Sequence, residues 1–182
     1  MSGYERPNDI LLLIGQVLTV IGQIGLAIAG AAIAVGGPLI AFIQEDIAIE
    51  LAGESADVAG PLPMLPMFGI LLLALGIIAL AFIFLGKLRA IIASVGEGDP
   101  FIPANADRLN LMAWLLLGIQ LMMIPAAGFG LWLAKWAEDL ENADVTIDAG
   151  LDLTGILMVV VLFILARVFK HGAALREDLE GT

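Results

Sequence analysis

Four long apolar runs constrain this chain more than any other feature of its sequence. An α-helix needs about 20 apolar residues to cross the ~30 Å hydrocarbon core of a bilayer. The runs cover residues 10–36, 65–86, 109–133 and 153–169. Because a backbone in lipid must satisfy its hydrogen bonds internally, each run is predicted to form a transmembrane helix. We therefore expect residues 1–182 to form one all-α integral membrane domain of four helices.

Composition narrows the function as well as the fold. Hydrophobic residues make up 60% of the 182 positions and charged residues 15%, which is unlike a soluble domain. The net charge of −11 argues against the basic surface that direct nucleic-acid binding needs. The chain has no cysteine and one histidine, so thiolate chemistry and a multi-histidine metal centre are excluded. We expect no catalytic residue, no cofactor and no metal site, and a protein that is not an enzyme.

Two tryptophans in the third run allow its length to be compared with the thickness of the membrane. Trp114 and Trp132 lie eighteen residues apart, which is about 27 Å along a helix. Since indole rings prefer the headgroup level, the two tryptophans are expected to mark opposite faces of the bilayer. The end of the first run is less defined, because Gly36, Gly37 and Pro38 interrupt it while residues 39–43 could carry the helix one or two turns further.

The basic residues predict the orientation. Seven of the eight lysines and arginines fall on one side of a four-span topology, and Lys135 falls on the other. By the positive-inside rule both termini are expected in the cytoplasm. Eleven acids lie on the outer side: Glu45, Asp46, Glu50, Glu54, Asp57, Glu138, Asp139, Glu141, Asp144, Asp148 and Asp152. In the outer segments, alternating residues 47–51 and 145–153 predict a short β element.

A polar stripe follows one face of the first helix. Gln16, Thr19 and Gln23 recur at a spacing of three or four, and Ala27 and Gly30 continue the stripe. Helix packing is the favoured interpretation, because small residues permit close approach and amides hydrogen-bond across helices. The same glycine-rich faces would also permit a homo-oligomer.

The alternative is a small channel, transporter or accessory membrane subunit lined by Gln16, Gln23 and Gln120. Against it, no acidic or basic residue lies near the centre of any run, where a proton-coupled transporter usually has one.

The polar stretch "SVGEGDPFIPANADRLN", residues 94–110, reads as a rigid hairpin between the second and third helices. The amphipathic segment "KLRAIIASV" precedes it and either extends the second helix or lies in the interface. Gly96 or Gly98 suits a helix C-cap. Two prolines then enforce extended backbone. Asn105 is predicted to be the N-cap of the third helix, with Asp107 in its first turn.

Two segments together resemble a known family. Residues 87–114, "KLRAIIASVGEGDPFIPANADRLNLMAW", and residues 163–182, "FILARVFKHGAALREDLEGT", are similar to the DUF2975 family of bacterial four-helix membrane proteins. The motifs that carry the likeness are Gly98-Asp99-Pro100-Phe101, Asn105, Arg108, Phe169, Gly172 and the tail from Leu175 to Thr182. The family has no established biochemical activity, so the resemblance supplies no catalytic residue. Its members are often encoded beside a small helix-turn-helix regulator of the Xre type, which implies a membrane partner for a DNA-binding protein.

These observations lead to a hypothesis of docking at the cytoplasmic face. We expect a non-enzymatic inner-membrane protein that engages a cytoplasmic partner, such as a small helix-turn-helix regulator, through its 96–108 loop and its 170–182 tail. The tail is a short helical candidate with an Arg176–Glu180 pair. The competing interpretation is a rigid connector and a solvated helix end. The candidate docking residues are Asp99, Phe101, Asn105, Arg108, Arg176, Glu177, Asp178 and Glu180.

Overall fold

The computed structural model describes residues 9–42, 63–141 and 152–180. In these ranges the chain forms four α-helices: α1 (Asp9–Phe42), α2 (Met64–Gly96), α3 (Pro103–Glu141) and α4 (Leu153–Glu180). Each helix contains a stretch that is long and apolar enough to cross a membrane. The described ranges contain no strand. The β element predicted for residues 47–51 and 145–153 lies almost wholly outside them.

The helices extend beyond the apolar runs. α1 continues through Pro38 to Phe42. α2 passes Gly86 and ends ten residues later at Gly96, so the amphipathic segment extends the second helix. α4 continues to Glu180 without a break, so the tail is the end of a transmembrane helix and no separate short helix forms. Hydropathy sets where a helix enters lipid, whereas its ends depend on the capping residues beyond the membrane.

Each helix packs against its neighbour in sequence, α1 on α2, α2 on α3 and α3 on α4. A buried cluster forms where α3 meets α4, and side chains of α2 close it from the other side. The cluster consists of Leu109, Met112, Ala113, Leu162 and Ala166, with Phe84, Leu88 and Ile91 of α2 packed against it. The core therefore belongs to α2, α3 and α4, and α1 attaches to it through α2.

The contact between α1 and α2 is built on glycines. Four glycines of α1 receive side chains that recur every seven residues along α2, the repeat of a left-handed coiled pair. The contacts are Gly15 with Ile92, Gly22 with Leu85, Gly30 with Ile78 and Gly37 with Leu71. A Cβ atom at Gly22 would lie 2.9 Å from Cδ1 of Leu85. The absence of side chains at these positions is therefore what lets the two helices approach.

Large apolar side chains cover the outside of the molecule. Leu11 is 71% exposed and Phe42 is 85% exposed, and exposed isoleucines, leucines and valines continue along all four helices. A soluble monomer rarely exposes contiguous apolar surface on this scale. The helices accordingly present a lipid-facing surface, as the four apolar runs predict.

The fold gathers the basic residues at one end. The end of α2, the start of α3 and the end of α4 meet there, and we call this region the basic end. It contains six of the seven lysines and arginines in the described ranges: Lys87, Arg89, Arg108, Arg167, Lys170 and Arg176. Lys135 lies near the other end of α3.

The glycine contact yields a matched pair of variants. Gly22→Leu should destabilise the protein by about 1 to 3 kcal/mol, because a leucine there overpacks the site that Leu85 fills. Gly25→Leu on the same helix should change little, since nothing lies within 4 Å of a Cβ at Gly25. Denaturant unfolding of both variants in detergent micelles, followed by circular dichroism, measures the difference. Equal stability of the two would contradict the packing that we describe.

Candidate functional site at the basic end

The turn after α2 is a Schellman motif centred on Gly98. The N–H of Gly98 donates to the carbonyl of Val95 at 3.0 Å, and the N–H of Asp99 donates to the carbonyl of Ser94 at 3.1 Å. Gly98 has a φ of 85°, a conformation that favours glycine. Of the two predicted capping glycines, Gly98 therefore fills the left-handed position, and Gly96 is the last residue of α2.

Asn105 lies at the centre of the basic end and is completely buried. Its Nδ2 donates to Oγ of Ser94 at 2.7 Å and to the carbonyl of Pro100 at 2.9 Å. Its Oδ1 accepts a hydrogen bond of 2.7 Å from Nη1 of Arg108. One side chain thus joins the end of α2, the turn and the start of α3.

The prediction that Asn105 is an N-cap was wrong. α3 begins at Pro103, where a proline suits the first helical position because its missing N–H has no intrahelical partner in any case. Asn105 lies inside the first turn, and its backbone N–H donates to the carbonyl of Ile102 at 2.9 Å. Asp107 consequently falls beyond the first turn. The side-chain amide of Asn105, which the sequence pattern predicts to cap the helix, instead makes tertiary hydrogen bonds.

Ser94 and Arg108 complete the network. Ser94 is 5% exposed, and its Oγ donates to the carbonyl of Ile91 at 2.8 Å while accepting from Asn105. Nη1 of Arg108 also donates to the carbonyl of Ala90 at 3.3 Å. Within the described residues, no buried side-chain nitrogen or oxygen lacks a hydrogen-bond partner. The network can therefore be buried without the cost of an unpaired polar group.

The turn then closes onto α4 through contacts that we call the latch, made of Asp99, Phe101, Phe169, Gly172 and Arg176. The guanidinium of Arg176 pairs with the carboxylate of Asp99. The rings of Phe101 and Phe169 pack with centroids 5.2 Å apart. A Cβ at Gly172 would lie 2.8 Å from Cδ1 of Phe101, so a glycine is needed for this approach. The latch fixes the end of α4 to the α2–α3 turn.

The structure brings the candidate docking residues together, but mostly to contact one another. Asp99, Phe101, Asn105, Arg108 and Arg176 all bond or pack within the chain. Glu177 and Asp178 lie on the exposed surface of α4. The side chain of Glu180, and with it the predicted Arg176–Glu180 pair, lies outside the described part of the chain. Sequence reasoning missed Ser94 as a structural residue, although its position one helical turn before the Gly98 cap was a usable signal.

The polar residues inside the apolar runs do not converge. Thr19 Oγ1 donates to the carbonyl of Gln16 on its own helix at 2.8 Å. Gln23 Nε2 donates across to α2, to the carbonyl of Phe82 at 3.4 Å. Gln120 lies at the other side of the core, between α3 and α4, where Nε2 contacts Asp152. Gln23 lies at the contact of α1 with α2, Gln120 lies at the contact of α3 with α4, and Gln16 is exposed on α1. The three glutamines therefore do not line one path in the described residues.

Asp152 caps the start of α4. Its Oδ1 accepts from the N–H of Thr154 at 3.0 Å, and Gln120 Nε2 lies 3.3 Å from both its carbonyl oxygen and its Oδ2. The backbone N–H of Gly155 and the amide of Gln120 hold the pKa of Asp152 below its ordinary value. Gln120 is seventeen residues, about 26 Å, from the start of α3. α4 therefore begins beside the middle of α3. The sequence grouped Asp152 with the outer acids, whereas the structure places it beside Gln120, near the middle of α3.

Four apolar helices with an apolar exterior define a multi-pass integral membrane protein. The family model of "Protein of unknown function (DUF2975)" matches residues 46–182. The chain belongs to this family, which confirms the resemblance seen in its loop and tail. The matched range contains α2, α3, α4 and the whole latch, whereas α1 precedes it. No curated protein and no solved structure matches the chain.

The buried network predicts a large effect for one amide. Asn105→Ala should destabilise the protein by about 2 to 4 kcal/mol, because three hydrogen bonds of a fully buried side chain are lost, one of them from an arginine. Asn110→Ala is the matched control on the same helix, since Asn110 is exposed. Denaturant unfolding in micelles compares the two variants. A loss below about 0.5 kcal/mol for Asn105→Ala would contradict the central role of this residue.

The cap of α4 predicts a pH dependence. The folded-state pKa of Asp152 is lowered from its ordinary value of 3.8. The ionised carboxylate therefore stabilises the fold at any pH above that value, and this contribution is lost as the pH falls through the folded-state pKa. The chemical shift of its carboxyl carbon, followed against pH in nanodiscs, should give a pKa below 3.8. Gln120→Leu should move the pKa upward by removing a donor. A pKa above 3.8 in the unsubstituted protein would contradict the hydrogen bonds that we describe at this carboxylate.

Proposed function

We propose that this protein is a non-enzymatic protein of the bacterial inner membrane that engages a cytoplasmic partner at its basic end. Both termini are assigned to the cytoplasm, because the basic end collects six of the seven described lysines and arginines and positive residues are retained on that side. The partner that we favour is a small helix-turn-helix regulator, in line with the genetic context typical of the family.

The latch is the observation that carries the proposal. The ion pair of Arg176 with Asp99 and the ring contact of Phe101 with Phe169 hold the end of α4 in one position. A surface that is already ordered loses little conformational entropy on binding, which favours its use as a docking site. The loop therefore serves as a support, and the surface offered to the partner is the exposed side of α4 beyond the latch.

The charge of that surface fits a DNA-binding partner. Glu177 and Asp178 are adjacent and exposed near the end of α4. Carboxylates placed in this way complement the basic face with which a helix-turn-helix domain contacts phosphates. The membrane protein and DNA would then compete for the same face of the regulator, so that the membrane-bound regulator is withheld from its operator.

We include the absence of catalysis in the proposal. Ser94, which has a hydroxyl at the basic end, is buried, and that hydroxyl donates to a backbone carbonyl. Asp99 pairs with Arg176, and Asn105 is committed to three hydrogen bonds. A nucleophile needs a base within hydrogen-bond distance and access to substrate, and Ser94 has neither in the described residues.

Co-purification tests the proposal. The full-length protein, solubilised in mild detergent, should retain a helix-turn-helix regulator of the Xre type from the same organism. Glu177→Gln combined with Asp178→Asn should weaken retention about tenfold, since two charges are removed from the docking surface. The control is Glu97→Gln, which removes an exposed acid from the α2–α3 turn at the same end and should retain the regulator. Failure to associate in detergent and in cells, or a loss for Glu97→Gln equal to that of the double variant, would overturn the proposal.

A further inference from the structure

A groove opens between α3 and α4 at the basic end, on the side of α4 away from the latch. Its volume is about 450 Å³, and among the residues that line it are Asp107, Asn110, Phe163, Arg167, Lys170 and His171. The groove thus joins apolar walls to a cluster of nitrogen donors. A volume of this size is ample for a phosphate group with part of the glycerol to which it is bonded.

The basic side chains of the groove come from one face of α4. Arg167, Lys170 and His171 are three and four residues apart, a spacing that places them side by side on a helix. Two like charges at this distance repel one another unless an anion lies between them. Among the described residues, no carboxylate lies within ion-pair distance of any of the three. The cluster therefore has unused capacity to bind an anion.

The position of the groove points to the source of that anion. Phe163 forms an apolar wall, and its ring packs nearly perpendicular to that of Trp114, with centroids 5.5 Å apart. Trp114 is 58% exposed, as expected of an indole at the headgroup level. Arg167 lies in the last turn of the fourth apolar run, and Lys170 and His171 follow that run directly. The groove therefore lies at the boundary between hydrocarbon and water, where lipid headgroups are found.

We propose that this groove binds the phosphate headgroup of an anionic phospholipid from the leaflet at the basic end. Arg167 and Lys170 pair with the phosphate oxygens, and Asn110 and His171 supply further hydrogen-bond donors. Phe163 and Trp114 contact the glycerol and the first methylenes of the acyl chains. Basic pockets between transmembrane helices have the chemistry that anionic headgroups require, and the apolar wall gives a lipid an advantage that free phosphate lacks.

Two acids limit the site. Asp107 lines the same groove and opposes the bound anion. Glu177 lines an adjoining recess that also includes Lys170 and lies further along α4. The charge on this side of the helix thus changes from positive to negative with distance from the apolar run. The headgroup is confined to the end of the groove that adjoins the membrane, and Asp107 becomes a residue whose removal should strengthen binding.

Native mass spectrometry of the full-length protein in neutral detergent tests the site. Titration with phosphatidylglycerol should show preferential binding over phosphatidylcholine. Arg167→Gln with Lys170→Gln should reduce the affinity for phosphatidylglycerol by at least about tenfold, given ~1 kcal/mol for each basic residue plus the lost hydrogen bonds. The matched control, Lys87→Gln with Arg89→Gln, removes two charges from the same end outside the groove and should change the affinity less than about twofold.

A variant that should raise the affinity distinguishes loss of the site from misfolding of the protein. Asp107→Asn should raise the affinity for phosphatidylglycerol about threefold, and a damaged protein would not show such a gain. Inorganic phosphate in excess should not displace the lipid. The proposal is overturned if phosphate displaces it, if both double variants lose affinity equally, or if phosphatidylglycerol binds no better than phosphatidylcholine.

Discussion

The buried amide of Asn105 is the interaction on which the rest of the basic end depends. Its two ends contact three separate parts of the chain, and each contact is a hydrogen bond of 2.7 to 2.9 Å. A buried amide is costly unless its partners are all present, so the network specifies one arrangement of α2 and α3. Only in that arrangement do Asp99 and Phe101 reach α4. Asn105 thus helps to fix the end of the fourth helix, in addition to the buried cluster that α4 forms with α3.

The protein packs its helices by two different means. Lipid is as apolar as the side chains it surrounds, so the hydrophobic effect does not drive transmembrane helices together. α1 and α2 associate by close contact, with glycines receiving the side chains of α2 every seven residues. α2, α3 and α4 add a polar network and aromatic contacts at their common end. The family match begins at residue 46, after α1, and so coincides with the part that carries the specific contacts.

The sequence predicts the number and place of the helices because helix length and hydropathy are local properties that the bilayer imposes. It predicts helix ends less well. Asn105 matches the local pattern of an N-cap, yet the helix begins at Pro103. The side-chain amide of Asn105 instead donates hydrogen bonds to Ser94 and Pro100. The contact of Gln120 with Asp152 depends on how far α4 is displaced along α3, which no local pattern records. The sequence also singled out eight candidate docking residues at the basic end. Five of them make contacts within the chain that support the fold.

The helical period places the latch residues and the groove residues on different sides of α4. Phe169, Gly172 and Arg176 recur at three and four residues and form the side that the latch holds. Arg167, Lys170 and His171 share a different side, and Glu177 follows on that side two turns beyond Lys170. Because the latch occupies only one side, the helix can be rigid while its other side faces the membrane boundary and the solvent. In the docking that we propose, a surface whose charge changes sign within about 10 Å along one helix orients the partner relative to the membrane as well as attracting it.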